Sequence, residues 1–431
     1  MSSRSFRTDA TGVIRYDGLQ LIGGTLRGIG HEVASQAASF DGTSLAANSR
    51  FTARRGVAWS NASLSGMLDA RAGLTLDNVM ITSGGSLVLG SGATFADVEN
   101  NGVLDLRTGA GLELTSPMVS GGGSQVLVSQ GAALEGAALT MRGALLVNNG
   151  TVSAPLALDF GSLAMGGGTF GSVTVNRGGT FSPGNSPGTA STLGPVVFNA
   201  GGEYEVEVAD ALGAPGTGFD LWDIAGTLDI NAGTTFNSQF VISLISMDAA
   251  FAAGPAANFD KHRSFAWTVL RADAIDGFDP KELRLDTSAF ENDTDGKFSL
   301  QLEHAAQARH VLLVEQPVAA AGALRADQVL VLEVADLRDG HVLEVRLEEP
   351  ADRADGQGLR VAHQCSRNVS LNLPTCTSSP SRSTIARSMR FRLTYVPFSE
   401  PRSEIAQPSA VRSICACRRE TVTSSRNSDA S

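Results

Sequence analysis

The sequence predicts an all-β protein: a right-handed parallel β-helix, a solenoid of about 19 residues per coil, with a C-terminal β cap and a tail of low order. Three observations carry this. First, Gly73, Gly92, Gly111, Gly131, Gly150 and Gly168 recur every 18 to 20 residues, and Gly85, Gly102, Gly123, Gly143, Gly161 and Gly179 keep the same beat between them. Two turns per repeat is the pattern of a stacked solenoid. Second, apolar residues alternate after the turns, as in Leu74-Thr75-Leu76, Leu104-Asp105-Leu106 and Val173-Thr174-Val175. Period two marks short strands with one buried face. Third, 48 glycines and only 6% aromatic residues among 431 suit a turn-rich β chain better than a helical one.

Taken in order, residues 1–65 read as irregular N-terminal coils of the helix, with the cluster Arg54, Arg55 and Trp59 expected at a solvated corner. The first nine residues hold no apolar core of the kind a signal peptide needs, so the chain reads as a segment of a longer gene. Residues 66–190 are the regular repeats, in which each buried Leu, Val or Phe contributes roughly 1.5–3 kcal/mol. Asn101-Gly102 and Asn149-Gly150 are expected at corners that need a positive φ. Residues 191–316 read as end coils and a β cap that shields the last edge. There Tyr204, Val206 and Val208 alternate with Glu203, Glu205 and Glu207, and denser apolar runs follow at 240–245, 265–270 and 311–314.

Residues 317–431 change character. A hairpin is expected from 329–334 and 341–347 around Asp339-Gly340. No glycine follows Gly358, and residues 359–431 carry eleven Arg, no Lys and four acids in a chain whose net charge is −11. This stretch reads as low in order, and in part as translation in a shifted frame. The body is therefore acidic, which argues against nucleic acid as a partner. All four cysteines, Cys365, Cys376, Cys415 and Cys417, lie in the tail, so the repeats cannot form a stray disulfide after export.

The most specific local signal is Gly179-Thr180-Phe181 followed by Ser182-Pro183-Gly184-Asn185-Ser186-Pro187-Gly188-Thr189. On physical grounds it is a rigid double corner, because each proline fixes φ and each glycine permits a reversal. Here the sequence resembles the bacterial autotransporter passenger domains and related exported β-helical surface proteins. In these, such a motif closes a repeat array and leads into a coil like Phe219–Ile230. The resemblance spans roughly residues 70–316. It implies a passenger carried through the outer membrane by a C-terminal β-barrel, or in sorted relatives a Pro-Glu-Pro motif, where this chain has Glu315-Gln316-Pro317. The implied place is the cell surface or the extracellular space, with an outer-membrane translocator as partner. Any recognition is expected from side chains outside the helix, with host or cell-surface glycans or proteins as the class of partner and no ligand identified.

Catalytic patterns are weak, and neither cofactor nor metal is expected. Gly166–Gly171 spells a dinucleotide fingerprint without the strand-turn-helix context it requires. Glu291-Asn292-Asp293-Thr294-Asp295-Gly296 resembles the start of a calcium loop but is better read as an acidic hairpin turn. His304 and His310 lack zinc spacing, as does Cys415-Ala416-Cys417. The reading is thus a non-enzymatic surface segment, a stalk or adhesin scaffold. The alternative is a β-helical polysaccharide lyase or glycosidase, for which Asp69, Asp77, Asp97, Asp105 and Glu113 are the candidate acids.

Overall fold

Alternating apolar residues between glycine corners fold into strands of two to twelve residues, and among the described residues there is no helix. The computed structural model describes residues 12–304 and 389–397. Thirteen strands stack side by side in one sheet, beginning at Ile14–Arg15 and ending at Leu283–Ala289, and every pairing within it is parallel. Between successive strands of this first sheet the chain crosses a second sheet at two positions, so each coil has three sides.

The register shows the solenoid directly. Phe51, Leu68, Leu87, Leu104, Val126, Leu146, Ala164, Phe181 and Tyr204 stand one above another, 17 to 23 residues apart. All nine are fully buried. In the second sheet Leu64, Ile81, Asn100, Ser120, Met141, Leu158, Val175 and Phe198 form a matching column. The beat read from the glycines is therefore the rung spacing of the stack. It stretches at the end, where Tyr204 pairs with Ile242 and Ile242 with Leu285, because long loops leave the column between those rungs.

The corners follow two different physical rules. In three successive coils the second-sheet strand is continuous, Val57–Leu64, Leu74–Ile81 and Ala93–Asn100, and it bends at Asn61, Asn78 and Asp97, whose φ values are 52°, 52° and 49°. Asn and Asp tolerate this left-handed region better than other side chains. The Asn78 Nδ2 donates to Asn61 Oδ1 at 2.8 Å, which ties one corner to the next. Gly102 and Gly150, by contrast, do not have a positive φ. Glycine is required there by close approach: a Cβ on Gly102 would lie 2.3 Å from the carbonyl oxygen of Gly85, and one on Gly150 2.4 Å from that of Ala132. In both Asn-Asn-Gly turns the first asparagine is buried, and its Oδ1 accepts from the glycine N–H at 3.1 and 3.0 Å.

The core is aliphatic in the middle and aromatic at both ends. Tyr16, Phe40, Phe51 and Trp59 fill the first coils, with Trp59 stacked on Phe40 at 4.5 Å and only 1% exposed. Its indole N–H donates to the carbonyl of Thr43. The expected solvated corner is therefore only half right: Arg54 is exposed and pairs with Glu32, but Trp59 turns inward, since its strand alternates Val57 and Trp59 toward the core. Near the other end Trp222 stacks on Phe181 at 3.7 Å, and Phe198 on Phe240 at 3.9 Å.

The parallel stack ends in antiparallel pairing. Met389–Pro397 lies antiparallel between Phe265–Asp276 and Gly296–His304, so the last parallel edge of the second sheet is covered. Nine residues of the segment expected to be of low order thus contribute a strand to the cap. The expected hairpin of 329–334 and 341–347, the run 311–314, His310 and the four cysteines lie outside the described residues.

Candidate functional site

Ser182 and Pro183 end the first-sheet strand Thr180–Pro183 and are buried there, while Thr189 opens the second-sheet strand Thr189–Thr192. The chain reversal is confined to Gly184, Asn185, Ser186, Pro187 and Gly188. Gly184 and Ser186 have φ of 81° and 67°, and a Cβ on Gly184 would lie 2.2 Å from the Cα of Gly188. Only glycine permits that pinch. Gly184 also exchanges two backbone hydrogen bonds with Gly166, at 2.9 and 3.0 Å, which pins the loop to the preceding coil.

Carboxylates fasten the loop from the following coil. The N–H groups of Gly188 and Glu207 donate to the two oxygens of Asp220 at 2.7 and 2.9 Å, and Asp220 is completely buried. Ser186 Oγ donates to Glu207 Oε1 at 3.1 Å, and Asn185 Nδ2 reaches back to Asn149 Oδ1 at 2.9 Å. Burial pushes the Asp220 carboxyl well above its usual range, the charges of Glu207 and Glu205 add to this, and the two N–H donors oppose it. Glu205 is pushed up to about 7 by burial and then by Glu203 and Glu207, against a hydrogen bond from Ser182. Glu207 is raised by burial and relieved in part by Ser186. The motif is thus a clasp between three coils, held by carboxyl oxygens that accept N–H and O–H groups and that burial shifts toward protonation. Sequence reasoning found the clasp's backbone but missed Asp220, which belongs to a separate coil and whose letter alone gives no sign of burial.

The other sequence candidates are dispersed. Burial pulls Asp69 upward, but Arg71 and Arg50, at 2.8 and 3.4 Å, hold its carboxyl below its usual range. Asp105 pairs with Arg107 at 3.5 Å, Asp97 forms the bend described above, and Asp77 and Glu113 are exposed on the second sheet. Asp69 and Asp105 lie two rungs apart on the first sheet, and Asp77, Asp97 and Glu113 lie on the second. Asp293 and Asp295 are held by Lys261 at 2.7 and 3.2 Å, and Asn292 bonds the backbone of Ala256. The loop they occupy joins a first-sheet strand to the cap rather than closing a hairpin, because Gly296–His304 pairs with Met389–Pro397. Gly166–Gly171 is a β corner between Leu163–Gly166 and Thr169–Phe170. Among the described residues no group of His, Cys, Asp or Glu is arranged to hold a metal ion.

The outside of the column carries an apolar patch. The first sheet turns Val103, Leu127, Leu145, Val147, Leu163 and Met165 outward, all partly exposed, on four adjacent rungs. Neither a family model nor a curated protein sequence matches the chain.

Proposed function

We propose that this chain is a non-enzymatic segment of an exported surface protein, of the autotransporter-passenger type, serving as a stiff stalk or adhesin scaffold. The observation that carries the reading is the uninterrupted buried ladder from Phe51 to Tyr204, in which every inward position is spent on packing and only outward side chains are left to meet a partner. The apolar outer face of the first sheet and the glycine clasp at residues 184–188 support it. The test is protease treatment of intact cells that express the native gene. Cleavage of this chain without lysis is the expected result, and full protection until lysis contradicts the proposal.

Glu205 favours a second reading, a glycosidase. A carboxyl group raised to about 7 suits a general acid, and Glu203 and Glu207 flank it on the same face of Glu203–Val208. Reducing-sugar release from polysaccharides, abolished in Glu205→Gln, is the outcome that would favour it. Silence across pectin, alginate and chitin goes against it.

A further inference from the structure

At the corner between the second sheet and the first, Arg142, Asp159, Phe160, Asn176 and Arg177 line an open groove of about 470 Å³. Phe160 is 78% exposed, the most exposed of the large apolar side chains described. Its ring lies over Gly178 of the next coil, where a Cβ would meet the ring at 2.6 Å, so glycine leaves room for the ring in this place. Beside it runs a polar ladder at one residue per rung. Arg142 donates to Asp159 at 3.2 Å, Asn176 donates to Asp159 at 2.8 Å, and Asn199 donates to Asn176 at 2.8 Å. Arg177 has an exposed guanidinium and no ion-pair partner among the described residues, its stem resting on Gly201.

This combination selects for a ligand class. An aromatic ring left in water is a platform for the apolar C–H face of a sugar ring. Amide and carboxylate groups beside it, at successive rungs about 4.8 Å apart, match hydroxyl groups repeated along an extended chain. A guanidinium free of acidic partners binds carboxylate in a two-point fork. The two arginines against one aspartate make the groove locally positive on a chain of net charge −11. We propose that this groove binds an acidic glycan along the solenoid axis, with a carboxylated pyranose stacked on Phe160, its carboxylate on Arg177 and its hydroxyls on Asn176 and Asp159. The proposal rests on the reading of the chain as a recognition scaffold and gives that scaffold a ligand class.

Calorimetry on the full chain tests it with four probes: trigalacturonate, 3′-sialyllactose, neutral maltotriose and tetraglutamate. At least one acidic sugar is expected to bind, and maltotriose at least tenfold more weakly. Phe160→Ala and Arg177→Gln are each expected to weaken acidic-sugar binding tenfold or more, with Arg177→Lys recovering part of the loss and the melting temperature of Arg177→Gln unchanged. No heat with either acidic sugar overturns the proposal, as does binding that both variants leave intact. Tetraglutamate binding as well as the sugars do would replace it with recognition of acidic peptide. Protease accessibility on intact cells is independent of all these outcomes, so a failed glycan site and a failed surface assignment are told apart.

Discussion

At the level of single residues, the interior tolerates little change because each side chain touches its counterparts one rung above and below. Leu104 is fully buried between Leu87 and Val126, so Leu104→Ala is expected to cost about 2–5 kcal/mol, read as a lowered midpoint in denaturant unfolding. Gly102→Ala is expected to cost about 1–3 kcal/mol although its φ is ordinary, since the new methyl meets a backbone oxygen that cannot rotate away. The glycines were legible as a beat, but their reasons were not, because close approach between coils leaves no mark in a single strand's sequence. Trp59 shows the same limit. Beside Arg54 and Arg55 it reads as surface, and only the phase of Val57–Leu64 sets it inward.

At the level of the element, the buried carboxyl groups around the clasp at Gly184–Gly188 link its stability to pH. Glu205 holds its proton more tightly in the folded chain, at about 7 against an ordinary 4.5, and Glu207 and Asp220 shift in the same direction. The stability Glu205 contributes is full below about 4.5 and is lost as pH rises through about 7, and Glu207 and Asp220 act in the same direction. Thermal unfolding is therefore expected to show a falling midpoint between pH 5 and pH 8, with a shallower fall in Glu205→Gln. A midpoint that rises across this interval contradicts the assignment. Around Glu205 the facing groups are Glu203 and Glu207 on its own strand, Ser182 on the preceding one and Ser243 on the next, none of them cationic. The motif was visible in the sequence as tandem Ser-Pro-Gly, whereas the burial of Ser182 and Pro183 in a strand and the part of Asp220 come from coils that the motif does not contain.

At the level of the whole molecule, rung spacing and three-sided coils follow from one repeated rule, apolar residues at every second position between corners. That rule was legible because local periodicity and global stacking share a period. The cap was less so: Met389–Pro397 pairs with strands more than eighty residues away in sequence, and antiparallel partners so distant leave no periodic trace. The most direct measurement of the stack uses outward positions of the first sheet, which run in register through Thr52, Asp69, Val88, Asp105, Leu127, Val147 and Met165. With the native cysteines replaced by serine, spin labels at Thr52 paired in turn with Leu127, Val147 and Met165 report distances by pulsed electron resonance. The stack requires about 19, 24 and 29 Å, a rise of about 4.8 Å with each rung. Distances that fail to increase in that order, or that do not grow by one strand spacing per coil, contradict a single column of parallel coils.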